Sequence, residues 1–125
     1  PGLIGFDFGD AIRFTANTCD EDEKDLSAVK LDMSKFRAFT EGFMSAVAPT
    51  LGENEKNTLA LGAITMTVEC GMRFLTDYLD GDRYFKTCYK THNLDRARCQ
   101  LALAEDMIAR KDEMESVVAE YARNG

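Results

Sequence analysis

The feature that most constrains this chain is a long stretch without charge near its middle. No charged residue occurs between Asn57 and Val68, and the surrounding stretch 53–81 contains no proline. The uncharged run is too long for a buried strand and too short to cross a membrane, and its Leu, Ala and Met content favours a helix. Because apolar groups occur on nearly every side, we predict a central helix over 53–81, surrounded by other helices and ending at Gly81.

Three charged residues follow this run at four-residue spacing. Glu69, Arg73 and Asp77 therefore lie on one face of the predicted helix. Their apolar neighbours place this face partly inside the protein, where an unpaired charge is costly. The ladder is either a structural row of ion pairs or the wall of a polar pocket, and the spacing leaves both open.

The overall charge excludes two classes of partner. The chain has 125 residues, which fits one domain over 1–125, and its net charge is −7. Nucleic acids and anionic membrane surfaces both need a basic face on the protein. We therefore expect neither as a partner.

The cysteines and the histidine do not form a recognisable metal motif. Cys19, Cys70, Cys88 and Cys99 show no CxxC spacing, and His92 is the sole histidine. We interpret the cysteines as free thiols of a cytoplasmic protein and expect no bound metal. His92 is interpreted as a hydrogen-bonded surface residue beside a helix cap.

Helical periodicity predicts three further helices. The first spans 8–15 after a glycine-rich loop, with Asp7 as its N-cap, and the second spans 33–47. The last and longest spans 93–123, with Asn93 as its cap. Strand signals are nearly absent. The sequence thus predicts an all-α bundle of about four helices.

The apolar spacing also predicts which helix faces are buried. In the second helix they are Met33, Phe36, Phe39, Phe43 and Val47. In the last helix they are Leu94, Ala97, Leu101, Ala104, Ile108, Met114, Val118 and Tyr121. The stretch 18–31, with its acidic run 20–23, is interpreted as a solvated loop, and 82–91 as an aromatic and basic connection.

No complete catalytic set occurs in the chain. Asp7-Phe8-Gly9 invites comparison with the metal-binding DFG motif of protein kinases, but that motif follows an H-x-D loop and a glycine-rich lid. This sequence contains neither H-x-D nor GxGxxG. We interpret Asp10 and Arg13 as an i, i+3 pair on the surface of the first helix.

Four segments together carry a resemblance to a known family. They are DFGDAIRF at 7–14, DEDEKDLS at 20–27, ECGMRFLTDYLDGDRYF at 69–85 and HNLDRARCQ at 92–100. In these segments the chain resembles the C-terminal end of bacterial N-acetylhexosamine 1-kinases, within the aminoglycoside phosphotransferase and choline kinase superfamily. The likeness spans nearly all of the chain. It implies the helical C-lobe of a protein-kinase-like phosphotransferase, and a chain that is a fragment of a longer two-lobed kinase.

The resemblance also implies site residues. The family's sugar-stacking aromatic residue corresponds to Phe14, and its sugar-contacting arginine corresponds to Arg73. An aromatic ring at a helix end can pack on the apolar face of a pyranose, and a guanidinium offers several donors to hydroxyl or carbonyl oxygens. The supporting residues are Glu69 and Asp77, one turn to either side of the arginine, and Asp10. Further candidates for lining the site are Tyr78 and Tyr84.

In that family the nucleotide lobe, the general base and the metal ligands lie upstream of the segment seen here. The resemblance implies that the full enzyme uses ATP and Mg²⁺ to phosphorylate N-acetylglucosamine or N-acetylgalactosamine at the anomeric hydroxyl. Kinases for choline, homoserine and methylthioribose share the superfamily, so the substrate class depends on the resemblance. We expect this chain to hold no cofactor and to be inactive alone.

The alternative is a free-standing helical interaction module without catalysis. The ladder would then be structural, and the aromatic residues would form a dimer surface. If a missing lobe normally covers part of the chain, apolar area is exposed around Leu3, Ile4, Phe6 and Phe8. We therefore expect a homodimer, one form of which exchanges helices between protomers.

Overall fold

The computed structural model describes residues 2–47, 52, 56 and 58–124, and the side chains of all of these except 2–4, 6, 123 and 124. Within that part of the chain the fold is all-α, as predicted. Its helices are α1 (Gly2–Thr15), α2 (Met33–Val47), α3 (Leu59–Leu79), α4 (His92–Ala109) and α5 (Lys111–Asn124), with a short 3₁₀ turn at Leu26–Ala28.

Helix α3 is the central element of the fold. It packs against α1 and α4 and also contacts α5, and its buried residues run from Leu59 to Asp77. The predicted central helix is confirmed over 59–79, whereas 53–55 and 57 lie outside the described residues. With 21 residues, α3 is the one described helix that is long and apolar enough to cross a membrane. The prediction that the uncharged run is too short for this does not extend to the whole helix, whose length does not exclude a membrane span. The core helix of a water-soluble domain meets the same two criteria.

Glycines allow α1 and α3 to cross with their backbones in contact. A Cβ atom added to Gly9 would lie 2.6 Å from the carbonyl oxygen of Gly62, and one added to Gly62 would lie 2.8 Å from that of Gly5. Both distances are shorter than any side chain tolerates, so only glycine fits at positions 9 and 62. The crossing fixes the distance between the residues that α1 and α3 present to the same side.

An aromatic cluster joins α1 to α2. Phe8 is fully buried, and its ring centroid lies 6.0 Å from that of Phe36, 5.9 Å from that of Phe39 and 5.0 Å from that of Phe43. These separations are those of favourable aromatic pairs. The predicted apolar face of α2 therefore packs on α1, with Met44 of α2 buried as well.

The stretch between α1 and α2 is tied down at both ends. Asn17 pairs with Leu31 in an isolated bridge, and the backbone N–H of Asp32 donates to the carbonyl of Ala16. The N–H of Leu31 donates to the carboxylate of Asp106 at 2.7 Å, and its carbonyl accepts from the Arg110 guanidinium at 2.6 Å. The stretch is thus held against the junction of α4 and α5.

The start of the first helix differs from the prediction. Helix α1 begins at Gly2 rather than near Phe8, so Asp7 lies inside the helix and does not cap it. Glycine at position 9 lowers helix propensity, but the close crossing that it permits offsets this cost. The expectation that Phe8 contributes exposed apolar surface is also wrong, because α2 covers its ring. The side chains of the other three residues in that prediction, at 3, 4 and 6, lie outside the described ones.

The last predicted helix is two helices. The chain departs from helical geometry at Arg110, whose φ is −111° and ψ 19°, and the guanidinium of this residue is bound to Leu31. Two predicted core residues, Leu101 and Ile108, are 36% and 58% exposed. The α4 residues that are fully buried are Asn93, Cys99, Gln100, Leu103 and Met107.

Candidate functional site

An open cleft lies between α1, α3 and the segment 80–91, and we call it the main cleft. Its volume is about 570 Å³. Its charged lining residues are Asp7, Asp10, Arg13, Glu21, Arg73, Lys86 and Arg96. Its other lining residues are Phe14, Met66, Cys70, Phe74 and Phe85. The cleft thus brings together Asp10, Phe14 and Arg73, three of the five residues predicted as site residues.

The ring of Phe14 is available to a ligand on one side. Phe14 is 59% exposed, although it belongs to the helix that carries the buried Phe8. The guanidinium carbon of Arg13 lies 4.0 Å from the centroid of the Phe14 ring, in cation–π geometry. This contact covers one face of the ring, so the opposite face is the one open to a ligand.

Arg13 is the buried centre of a group of ion pairs, so the prediction that it lies on the surface is wrong. Only 7% of its side chain is exposed, and it donates to Asp10 at 3.2 Å and to Glu21 at 2.8 Å. A further donor reaches Gln100 of α4 at 3.4 Å. Desolvation alone would lower the pKa of Arg13, but the hydrogen bond to Glu21 and the charge of Asp10 raise it above its usual value. The guanidinium therefore stays charged and links α1 to the acidic run.

Arg73 lies on the exposed side of α3. Its side chain is 62% exposed and donates to Glu69 at 2.6 Å. Arg73 also lines a neighbouring cleft of about 560 Å³, which we call the second cleft. The other residues that line the second cleft are Glu69, Met72, Thr76, Asp77, Asp80, Tyr84 and Phe85. Arg73 and Phe85 thus line both clefts. The Arg73 guanidinium is open to solvent, whereas the prediction was that it is part-buried.

Asp77 does not hold Arg73, so the predicted ladder of three is wrong. Asp77 is only 6% exposed, and its carboxylate accepts from the backbone N–H groups of Tyr84 at 2.8 Å and Phe85 at 3.0 Å. It also accepts from the side-chain amide of Asn93 at 2.7 Å. Four residues of an α-helix turn through about 400°, so each step rotates the side chain by about 40°. Two steps from Glu69 carry the carboxylate at 77 into the interior.

These bonds make Asp77 the anchor of the segment after α3. Burial opposes its ionisation, but the hydrogen bonds from Phe85, Tyr84 and Asn93 outweigh burial and lower the pKa of Asp77. Asn93 also donates to Asp82 at 3.0 Å. The predicted role of Asn93 as a helix cap is therefore wrong: Thr91 occupies that position, and Asn93 is a fully buried bridge.

The segment 80–91 turns back sharply under this anchor. Gly81 has a φ of 94° and Asp82 a φ of 61°, and the N–H of Asp82 donates to the carbonyl of Asp77 at 2.7 Å. The left-handed conformation of Gly81 explains its place at the end of α3. Phe85 then packs on Phe74 with ring centroids 4.7 Å apart.

The two tyrosines considered as candidates differ in position. Tyr84 is 83% exposed and lines the second cleft. Tyr78 is half-buried and is not among the lining residues of either cleft.

His92 is buried and structural, contrary to the prediction of a surface residue. Its Nδ1 accepts from the backbone N–H of Cys88 at 3.1 Å, and its Nε2 lies 2.9 Å from the Asp22 carboxylate. Because Nδ1 accepts a hydrogen bond, the network assigns the proton to Nε2, which donates to Asp22. The acidic run is therefore not simply solvated, since Glu21 and Asp22 each bind a buried cation or imidazole.

The residues that line the cleft offer little nucleophilic or metal-binding chemistry. Burial raises the pKa of the Cys70 thiol, with Arg13 opposing, so the thiol stays protonated at neutral pH. No group of three or more His, Cys, Asp or Glu side chains within the described ranges could hold a metal ion. The cleft is suited to binding a polar ligand through charged donors and aromatic faces.

Sequence reasoning missed Lys86, Arg96 and Glu21 as lining residues. Glu21 and Lys86 lie in the irregular connections after α1 and α3, and Arg96 lies on α4. No local pattern shows how these connections fold back onto the cleft. A comparison with protein-family models finds no family that matches the chain.

Proposed function

We propose that this chain is the substrate-binding C-terminal part of a sugar kinase that resembles the N-acetylhexosamine 1-kinases. The observation that supports this most is the position of Phe14 and Arg73, which are 59 residues apart in sequence and line one cleft. The resemblance assigns these two residues to the sugar on sequence alone. Both are more than half exposed, as ligand contacts need to be.

The two residues have complementary chemistry toward a hexosamine. The free face of the Phe14 ring matches the apolar C–H face of a pyranose. The Arg73 guanidinium keeps donors available beyond the single one given to Glu69, and these suit ring hydroxyls or an acetamido carbonyl. Asp10 faces the same cleft and offers a carboxylate acceptor to hydroxyl groups, while it also holds Arg13.

In the full-length enzyme, which we expect in the cytoplasm, residues upstream of this chain would bind ATP and Mg²⁺ and would provide the general base. Phosphoryl transfer depends on positioning and on neutralising charge with metal and cationic groups. We expect no transfer of phosphate from ATP to N-acetylglucosamine by this polypeptide alone. Detectable turnover by the purified chain would contradict that assignment of roles.

Binding of sugar to the chain tests the proposal directly. Titration calorimetry with N-acetylglucosamine, N-acetylgalactosamine, choline and an aminoglycoside compares the substrate classes of the superfamily. We expect an N-acetylhexosamine to bind, and Phe14→Ala and Arg73→Ala to weaken it at least about tenfold. Arg98→Ala is the matched control, since Arg98 is exposed on α4 and lines neither cleft. Binding of choline in place of the sugar, or equal effects of Arg73→Ala and Arg98→Ala, would contradict the proposal.

The gene upstream of Pro1 offers an independent test of the class. An in-frame H-x-D-x-x-x-x-N motif followed by another aspartate would support a kinase. A stop codon with a local start would support a free-standing module.

The interaction module is the second candidate, and one observation favours it. Leu61, Met72 and Leu79 on α3 and Leu101 and Ile108 on α4 are large apolar residues between 36% and 74% exposed. Residues seven apart, such as Leu101 and Ile108, lie on the same side of a helix. A homodimer, with or without exchanged helices, would cover such surface, and we expect light scattering to show one. Met72→Glu should then shift the chain to a monomer, whereas a monomeric wild-type chain at high concentration would exclude the module.

A further inference from the structure

Four cations line the main cleft, and they differ in whether a carboxylate neutralises them. Arg13 is bound to two carboxylates and Arg73 to one. Lys86 and Arg96, in contrast, form no ion pair within the described part of the chain. The main cleft of this acidic protein therefore carries two cations, Lys86 and Arg96, that have no carboxylate partner among the described residues.

Arg96 is held in place by neutral groups only. Its Nη1 donates to the backbone carbonyl of Lys86 at 3.0 Å and to the side-chain oxygen of Asn93 at 2.9 Å. Its Nε is buried and has no hydrogen-bond acceptor among the described residues. Because Nε is buried, a ligand in the cleft does not reach it. The donor that an anion would meet is Nη2, which is not buried and makes no hydrogen bond within the described residues.

The position of Lys86 adds a second donor at the same edge of the cleft. Its backbone carbonyl is bound to Arg96, which keeps the two residues adjacent. Its side chain is exposed and makes no hydrogen bond within the described ranges, so its ammonium is free to turn toward a ligand. Lysine and arginine together are a common pair for phosphate or carboxylate groups.

The acids of the main cleft do not cancel this pair. Asp10 and Glu21 are bound to Arg13, which leaves Asp7 as the remaining acid on the lining. The second cleft is the opposite case, with Glu69, Asp77 and Asp80 beside the shared Arg73. An anionic ligand is therefore favoured in the main cleft over its neighbour.

We propose that the main cleft binds an anionic group, a phosphate or a carboxylate, through Lys86 and Arg96. For the sugar, this inference rests on the proposed function: the ligand held most tightly by this chain would be an anionic hexose derivative, such as the 1-phosphate that the proposed kinase forms. The cleft would then retain product more strongly than substrate.

Calorimetry on the 125-residue chain tests this with four probes. They are inorganic phosphate, N-acetylglucosamine, N-acetylglucosamine 1-phosphate and glucuronate. We expect the 1-phosphate to bind at least about tenfold more tightly than the neutral sugar, since a charge-assisted hydrogen bond adds at least this factor. Tighter binding of the 1-phosphate than of glucuronate would identify the anion as phosphate, and the reverse order would identify a carboxylate. Equal affinity for the neutral sugar and both anionic sugars would overturn the proposal.

Two lysine variants with the same loss of charge provide the control. Lys86→Gln should remove most of the preference for the anionic sugar, whereas Lys90→Gln, an exposed lysine four residues on that lines neither cleft, should not. Equal effects of the two variants would overturn the assignment to Lys86. Arg96→Lys keeps the charge but loses the Nη2 donor of the guanidinium, and it should weaken binding of the 1-phosphate more than binding of the neutral sugar.

The outcomes for the two proposals are distinguishable. Binding of phosphate and of the 1-phosphate without any binding of neutral sugar would support the anion site and contradict a hexosamine kinase. Binding of neutral sugar without preference for the anion would do the opposite.

Discussion

Helix α3 makes two contacts that border the main cleft, and they are built in opposite ways. At the crossing with α1, the backbone at Gly9 lies directly against the backbone at Gly62. At the segment 80–91, the buried carboxylate of Asp77 gathers two backbone N–H groups and the amide of Asn93. The first contact requires that positions 9 and 62 carry no Cβ atom, and the second requires the ionised carboxylate of Asp77.

The difference teaches what each side of the cleft can tolerate. A backbone contact is indifferent to pH and salt, but one added methyl group disrupts it. A buried carboxylate tolerates nearby changes of volume, but it fails when its charge or one of its oxygens is lost. Substitutions and pH can therefore separate the two contacts experimentally.

The largest effect is expected from Gly9→Ala. The new Cβ would lie 2.6 Å from a backbone oxygen of α3, which cannot rotate away, so the helices must separate. We expect a loss of about 3 kcal/mol or more in the free energy of unfolding, measured by urea denaturation. The control is Gly42→Ala, at an exposed α2 position with nothing within 4 Å, which should gain about 0.5–1 kcal/mol. A stable Gly9→Ala protein would show that the crossing is looser than described.

A smaller but clear effect is expected from Asp77→Asn. The amide removes the charge and turns an NH₂ group toward N–H donors, which leaves buried donors unpaired. We expect the thermal midpoint to fall by roughly 5–10 °C. Relative to wild type, hydrogen exchange of the backbone amides in 80–91 should accelerate more than that of the amides in α1. Asp80→Asn, at an exposed carboxylate one turn on, should shift the midpoint by less than about 2 °C. Uniformly faster exchange across the chain would contradict a local anchor.

The pH dependence of these variants sharpens the comparison. The pKa of Asp77 is lower in the folded protein than its unfolded value of about 3.9, so its stabilisation is complete above about pH 5. It is lost as the pH falls through the folded pKa. The difference in urea midpoint between wild type and Asp77→Asn should therefore narrow as the pH falls below the unfolded value of about 3.9. The difference for Gly9→Ala should remain constant, since neither residue titrates, and parallel narrowing would contradict this.

The smallest effect on stability is expected from Arg73→Ala. The Arg73–Glu69 pair is exposed and intrahelical, and such pairs contribute about 0.5 kcal/mol or less. Urea denaturation should show a change no larger than this, while sugar binding falls as described above. A loss of several kcal/mol would show that Arg73 is structural, which the sequence left open.

The fold class could be predicted because apolar periodicity and the absence of strand signals are local. The cleft residues Phe14 and Arg73 were found through a resemblance, and the structure places both on one cleft. The partner of Asp77 could not be predicted, because helical spacing of four drifts by about 40° per step and the segment that binds the carboxylate comes later in the chain. The division between α4 and α5 at Arg110 depends on a contact with Leu31, 79 residues away.

The crossing at Gly9 and Gly62 also sets a fixed baseline for ligand size. Phe14 and Arg73 extend from α1 and α3, whose separation is fixed by this backbone contact. The two helices therefore do not move to fit ligands of different size. A change in the size of the cleft must then come from the segment 80–91, which is held by hydrogen bonds to the Asp77 carboxylate and not by packed backbone. If the cleft binds the proposed sugar, substitutions that change ligand preference are expected in 80–91, while α1 and α3 stay the same.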